Sequence, residues 1–358
     1  MSHLRIAVVG CGHLGKIHAR LLKTLEEIEL VGVVDPCPAA REQVAAECEC
    51  RAFAHHNELV QRVDAAVVAT PTNVHHPVAL ELLQHHIHLL IEKPITSTVS
   101  QANQLIEHAR TAGLVLQVGH VERFNPAWNA VVDQLEAPQY IEAVRGGTYT
   151  FRATDVSIVL DLMIHDLDLV LSLVKSPLTD VEAMGLALFG PHEDLAMARL
   201  KFANGCVANL KASRVNHAPQ RTMQVFARNA FASIDFAQRQ TRLIRPAPEV
   251  LARTVDLTRC PPEDQPQVRE NMFQDLLCME SITVDPVNAI LEEQRDFSGA
   301  IRDGEPVRVG GEQGRNALAV AEQILNAIQS HRWNGLAPGQ VGPHATLPST
   351  VPPIKRAA

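Results

Sequence analysis

The feature that most constrains this chain is a repeated alternation between Leu4 and Val118. Short apolar runs of strand length are separated by stretches with helical spacing. Leu4–Val9, Glu29–Val34, Ala65–Ala69, the run through Leu89–Ile91 and Val115–Val118 read as strands. Leu14–Thr24, Pro38–Glu47, Pro77–Gln84 and Val99–Ala112 read as helices, the last closed by Gly113 at a C′ position. Strand, crossover helix, strand, repeated, predicts a doubly wound parallel sheet, whose strands are apolar on both faces because helices cover both. The composition agrees, being 46% hydrophobic and only 4% aromatic, with Ala, Val, Leu and Ile carrying the apolar content.

Beyond Gly119 the rhythm changes. A helix-like segment at Pro126–Leu135 leads to strand candidates Ile141–Phe151, Val181–Leu188, Ala196–Phe202, Cys206–Ala212, Thr222–Ala227 and Ala230–Phe236. Short turns such as Ala203-Asn204-Gly205 and Arg228-Asn229 join some of them, and one helix near Leu160–Val174 interrupts the run. This predicts a second, α+β domain with a large, open, mostly antiparallel sheet. Helices near Pro286–Arg302 and Gln313–Gln329 complete it. With 358 residues, more than one core usually serves, the expected division is 1–122, 123–332, and a Pro/Gly-rich tail or arm at 333–358.

A net charge of −8 argues against a nonspecific nucleic-acid binder, which needs a basic face. No apolar run reaches the roughly 20 residues that span a bilayer, and the N-terminus lacks the pattern of a signal peptide, so no membrane partner and a cytoplasmic location are expected. Seven scattered cysteines, with Cys48 and Cys50 forming only C-x-C, read as free thiols rather than metal ligands or disulfides.

Four motifs carry chemistry. VVGCGHLG places Gly10, Gly12 and Gly15 in G-x-G-x-x-G register between the first strand and first helix. The first glycine makes the turn, the second admits a pyrophosphate, and the third lets the helix approach with its N-terminus toward the phosphates. His13 and Leu14 lie within this loop, and Asp35 ends the second strand 20 residues after Gly15. Asp35 would accept hydrogen bonds from ribose hydroxyls and repel a 2′-phosphate, which favours NAD over NADP. ATPTNVH follows the Ala65–Ala69 strand and sets Thr70, Pro71, Asn73 and His75 at a carboxyl end, where doubly wound sheets bind ligands; Asn73 also suits an N-cap. At the end of the next strand stand Glu92, Lys93 and Pro94. By the same rule Lys93 points to where nicotinamide and substrate would meet. There its pKa would fall, and it could polarise a hydroxyl. In DLMIHDLD, Asp161, His165 and Asp168 fall at i, i+4 and i+7 on one helical face, and a His beside a carboxylate suits a general base. No further ligand cluster accompanies them, so no metal is expected.

In this order the motifs resemble the Gfo/Idh/MocA family of sugar oxidoreductases, over essentially residues 1–330. The resemblance implies an enzyme that transfers a hydride from a sugar CH–OH to NAD. Lys93, Asp161 and His165 are then the catalytic set, His165 and Lys93 handling the hydroxyl proton and Asp161 binding a neighbouring hydroxyl. The loop residues, Asp35 and Glu92 would line the cofactor. The family commonly has Gly two residues before the His, where this chain has Met163, which bears on the shape of the substrate pocket. VGHVERFNPA, Val118 to Ala127, further resembles the subgroup acting on UDP-N-acetylglucosamine at C3, ahead of transamination in lipid A synthesis. Arg123 in that loop would meet a substrate phosphate, with Lys211 and Arg214 as further basic candidates. Inositol or free-sugar oxidation and a non-catalytic NAD-binding regulator are the alternative readings. A homodimer or homotetramer formed through the second-domain sheet is expected.

Overall fold

The computed structural model describes residues 3–151, 153 and 156–332. The tail expected at 333–358 lies outside the described residues. The chain divides into two compact units, Met1–Pro126 with Asp285–Ala319, and Ala127–Val284 with Val320–Ala358.

The first unit is a six-stranded, all-parallel sheet. Its strands are β1 (Leu4–Val9), β2 (Ile28–Val34), β3 (Arg51–Phe53), β4 (Ala65–Val68), β5 (His88–Glu92) and β6 (Leu116–Gly119). The order β3-β2-β1-β4-β5-β6 puts a topological switch point between β1 and β4, where a crevice opens outside the carboxyl ends. Helices α1 (His13–Leu22), α2 (Pro38–Cys48), α3 (Thr72–Gln84) and α4 (Val99–Ala112) make the crossovers. Central strands such as Ala65–Val68 are buried at every position, which is why they read as unbroken apolar runs.

Three details depart from the sequence reading. Strand β3 has only three residues, two of them exposed, and so has no hydrophobic signature. Helix α3 begins at Thr72, five residues before the expected Pro77, which lies inside it. Pro77 removes the N–H that would bond the Asn73 carbonyl, yet the helix runs on to Gln84. The Ala289–Asp303 helix, assigned from sequence to the second domain, groups with the first unit. Its Phe297 is fully buried among Leu4, Ile6, Ala19, Leu22 and Leu90.

The second unit is an eight-stranded sheet ordered β14-β13-β12-β11-β7-β10-β9-β8. Its strands are β7 (Pro138–Gly146), β8 (Leu178–Leu186), β9 (Leu195–Phe202), β10 (Val207–Ser213), β11 (Gln220–Ala227), β12 (Phe231–Asp235), β13 (Gln240–Pro246) and β14 (Leu277–Thr283). Every neighbouring pair is antiparallel except β7 and β10. One face, with Ala196, Ala198, Leu200, Leu210, Met223, Val225 and Ile234, is buried with the Ile164–Leu173 helix and with Val320, Ile324 and Ile328. Among the described residues the other face carries exposed side chains, Met197, Phe226 and Met279 among them. Strands β13 and β14 were not expected: β14 is an edge strand with no fully buried residue, so nothing marks it in the sequence.

Candidate active site

The glycine loop has the shape its spacing implies. Gly10 sits at φ +102°, and a Cβ there would lie 2.5 Å from the Ala69 carbonyl oxygen. A Cβ on Gly15 would fall 1.8 Å from the Gly10 oxygen, so only glycine lets α1 close onto the turn. Gly12 is different: it is exposed, and a Cβ there would meet nothing within 4 Å. Protein packing does not require glycine at this position, but close approach of a ligand does. Gly12 caps α1 without any side-chain hydrogen bond, and the helix carries no acid in its first turn. Its leading N–H groups are left for an anion.

Asp35 ends β2 half-buried, with Oδ2 accepting from the Cys11 N–H and Oδ1 from the Cys37 N–H, each at 2.8 Å. The backbone thus aims a fixed carboxylate at the rim of the glycine loop. Arg41, which the sequence reading passed over, donates through Nη1 to the Asp35 and Pro36 carbonyls. All seven cysteines are free. Burial and the Asp35 charge push the Cys11 thiol up to about 12, which makes it a poor nucleophile beside the loop.

At the next strand end Thr70 has a buried hydroxyl with no hydrogen-bond partner among the described residues, a group suited to a ligand arriving in the crevice. Pro71 is exposed and N-caps α3 without a side-chain bond, and Asn73 lies within the helix rather than capping it. His75 is 1% exposed. Its Nε2 lies 2.8 Å from the Thr70 carbonyl oxygen and its Nδ1 3.0 Å from that of Pro94, so whichever nitrogen carries the proton donates to one of these two carbonyls. Burial holds this imidazole below its ordinary pKa. His13 is exposed and Leu14 half-buried at the start of α1. Together these groups fit a dinucleotide: an uncapped helix terminus for the pyrophosphate, a carboxylate for the ribose, and an orphan hydroxyl along the crevice.

Lys93 follows β5 directly, half-buried, with a cis peptide to Pro94. Glu92, expected to line the cofactor, is instead 8% exposed. Its Oε1 takes a hydrogen bond from His18 Nε2 at 2.8 Å, and Oε2 accepts from the Lys93 N–H at 3.2 Å. Arg123 lies half-buried in the turn Val121–Phe124, its carbonyl accepting from Arg308.

In the second unit, Asp161 lies in a π-helical turn, Val159–Met163, that runs into the Ile164–Leu173 helix carrying His165. Ser157 starts the run, its Oγ accepting from the Val159 N–H and its carbonyl from the Asp161 N–H. The widened turn breaks the simple i, i+4, i+7 register. Asp161 and His165 are half-buried, whereas Asp168 is 2% exposed. Such turns recur at functional sites. Met163 is fully buried in the core of this unit, so its departure from the family's glycine turns inward. Asp166, next to His165, forms a bidentate pair with Arg145 of β7, Nη2 to Oδ1 at 2.8 Å and Nε to Oδ2 at 3.0 Å, both residues buried. This pair fixes the first turn of the helix.

Two basic candidates are accounted for differently. Lys211 alternates with the buried Leu210 and Ala212, so it stands on the open face of the sheet, opposite the face covered by the His165 helix. Arg214 is 7% exposed and donates to the carbonyls of Ala153 and Val156, holding the segment ahead of Ser157.

Comparison with known proteins matches this architecture. Residues 4–120 fit the oxidoreductase family, NAD-binding Rossmann fold, and residues 130–232 the GFO/IDH/MocA C-terminal domain. UDP-N-acetylglucosamine 3-dehydrogenase of Acidithiobacillus ferrooxidans is 37% identical over 331 residues, 92% of this chain and 99% of the relative. A crystal structure of that dehydrogenase superposes with a TM-score of 0.81, covering 92% of this chain and 98% of the other. The scyllo-inositol 2-dehydrogenase (NAD(+)) of Bacillus subtilis is 27% identical over 60% of this chain and 69% of its own. GenD2 from gentamicin A biosynthesis, in complex with NAD, shares the fold at a TM-score of 0.75 and 19% identity, covering 92% of this chain and 95% of the other. In sequence, in both sheets and in the glycine loop, the chain belongs to the Gfo/Idh/MocA family of NAD-binding oxidoreductases.

Proposed function

We propose that this protein is an NAD-dependent dehydrogenase that oxidises the C3 hydroxyl of UDP-N-acetylglucosamine. One observation carries the reading. A chain with a complete dinucleotide crevice ending in Lys93, and a half-buried Asp161/His165 pair on a widened helical turn, matches over nearly its full length a dehydrogenase named for that substrate. When bound, NAD supplies the hydride acceptor. Lys93 holds the reacting hydroxyl and stabilises the oxygen as negative charge develops on it. His165 takes the hydroxyl proton, a role its near-neutral intrinsic pKa suits. Asp161 orients a neighbouring sugar hydroxyl, and Arg123 offers a guanidinium to a phosphate. Asp35 selects NAD over NADP by repelling a 2′-phosphate. The product is then a 3-keto nucleotide sugar, the form a transaminase needs, made in the cytoplasm for lipid A.

The open face of the second sheet is the surface for a second copy of this chain, as a homodimer or homotetramer. Met197, Phe226 and Met279 are exposed there by 46%, 40% and 47%, among charged Glu142, Arg199 and Lys211. A shallow trough of about 600 Å³ runs between Glu142, Met184, Met197 and Lys211. Among the described residues no helix is long and apolar enough to cross a membrane.

Steady-state oxidation of UDP-N-acetylglucosamine, free N-acetylglucosamine and inositols, followed as NADH absorbance, tests the reading. The nucleotide sugar should give the highest kcat/KM. Preference for an inositol would restore the polyol alternative, and tight NAD binding without turnover of any sugar would indicate a regulator.

A further inference from the structure

Behind Lys93 lies a buried polar chain that the catalytic reading does not use. It joins three elements distant in sequence: α1, the end of β5, and the Ala289–Asp303 helix. His18 and Gln294 are fully buried, and Glu92 nearly so. Gln294 Nε2 lies 3.1 Å from the His18 carbonyl oxygen and 2.9 Å from His18 Nδ1. His18 Nε2 lies 2.8 Å from Glu92 Oε1, and Glu92 Oε2 accepts from the Lys93 N–H.

These contacts fix where the protons are. A carbonyl oxygen can only accept, so the Gln294 amide must present its nitrogen to the His18 carbonyl. The same NH2 group then donates its other hydrogen to Nδ1, which must carry the lone pair. The ring proton therefore sits on Nε2 and is donated to Glu92. The amide orientation selects the tautomer, at the cost of leaving Gln294 Oε1 buried with no hydrogen-bond partner among the described residues.

Glu92 receives one N–H on each carboxylate oxygen. Burial alone would raise its pKa, but the His18 hydrogen bond, with the Lys93 charge adding to it, overcomes this and holds it below the ordinary value. Close packing leaves the carboxylate little freedom. A Cβ on Gly119 of the adjacent β6 would fall 3.0 Å from Glu92 Oε2, so glycine there makes the space the acid fills. Glu293 brings a second buried carboxylate, and the ligand-capable atoms of His18, Glu92 and Glu293 all lie within 4.8 Å of one another. Such a trio invites comparison with a cation site. With its proton on Nε2, however, His18 has no lone pair to offer on the side facing Glu92.

We propose that Gln294, His18 and Glu92 form a positioning relay, in which the amide sets the His18 tautomer, His18 holds the Glu92 carboxylate, and Glu92 orients Lys93 at the mouth of the crevice. The relay rests on Lys93 acting in catalysis as proposed above. None of its three members needs to touch substrate or cofactor. It explains why a helix from near the end of the chain is built into the nucleotide-binding unit, and why α1 carries a buried histidine one turn after Gly15. The energetic logic is positional, since a reacting group displaced by about 1 Å can lose on the order of 100-fold in rate.

His18→Leu and His18→Gln on the full-length protein separate a positioning role from a packing one. The leucine removes the donor, whereas a glutamine amide can still donate to Glu92 Oε1. His18→Leu should lower kcat by about 10–100-fold with NAD affinity nearly unchanged, and His18→Gln should recover it to within about threefold of the parent. Wild-type kcat in His18→Leu, or equal loss in both variants, would overturn the relay. If His18→Leu does not fold, the isosteric Glu92→Gln decides. Its amide must turn either an N–H toward the Lys93 N–H or one toward the His18 donor, so kcat should again fall at unchanged NAD affinity, and an unchanged kcat would overturn the proposal. Lys93→Met, measured alongside, distinguishes the two failures. If it keeps its kcat, the catalytic reading is at fault; if it loses kcat while His18→Leu does not, the relay is.

Discussion

Two of the three proposed catalytic residues are chain neighbours of a buried carboxylate: Lys93 follows Glu92, and His165 precedes Asp166. The two acids are held by opposite means. Asp166 is neutralised by a full cation, Arg145, through two parallel hydrogen bonds between buried groups. Glu92 is held by a neutral imidazole and a backbone N–H, and the nearby formal positive charge is that of Lys93. A charge already paired with an arginine serves as a fixed anchor and leaves its neighbour's electrostatics alone. A carboxylate stabilised only by neutral donors keeps its field, and that field is directed at Lys93. The first arrangement holds the helix that carries a base; the second holds the backbone from which Lys93 projects.

The difference can be broken by mutation, and the largest effect belongs to the charged anchor. Arg145→Met strands a buried carboxylate and should cost about 3–5 kcal/mol in urea unfolding. His18→Leu takes the donor from Glu92 Oε1 and the acceptor from one Gln294 N–H, each group keeping its other partner, and should cost about 1–3 kcal/mol. Equal losses would mean that the two anchors are not different in kind. Next, Lys93→Met should lower kcat by about 100–1,000-fold with little change in stability, because it removes charge stabilisation at the developing oxyanion. A KM effect alone would reduce Lys93 to a binding role.

The smallest effect is on pH dependence. His75 and His88 are both held below their ordinary pKa by burial. His88 Nδ1 accepts from the Val115 N–H, so charging the ring breaks a hydrogen bond between β5 and the residue that leads into β6. The unfolded chain takes up these protons more readily than the folded one. Stability should therefore be full above the unfolded value of about 6.5 and fall as pH drops below it, by at most about 1.4 kcal/mol for each unit of pKa depression. His88→Gln should flatten the decline in melting temperature between pH 7.5 and 5.5. An unchanged slope would remove His88 from the account.

How far the sequence revealed these arrangements depends on whether the signal was local. The glycine loop, Asp35 and the strand ends were legible because each is a short-range requirement of a parallel sheet with a crevice at its switch point. Strand β14 was not, since an exposed edge carries no burial pattern. Helix α3 was misjudged by taking Pro77 for its start. The anchors escaped for another reason. His18 and Gln294 are 276 residues apart, and Arg145 and Asp166 lie on different elements. Nothing in a one-dimensional pattern joins a buried histidine on a nucleotide-binding helix to a glutamine near the far end of the chain. Glu92 was legible as important but assigned to the cofactor, because its burial against α1 becomes visible only once the sheet is folded.

The most direct test of the central claim compares kcat/KM for UDP-N-acetylglucosamine and for myo- and scyllo-inositol under one set of conditions, with NAD and then NADP. The account predicts that the nucleotide sugar is oxidised with NAD at a kcat/KM at least about 100-fold above either inositol, a difference of some 2.7 kcal/mol in transition-state binding. An inositol oxidised as efficiently as the nucleotide sugar would contradict it.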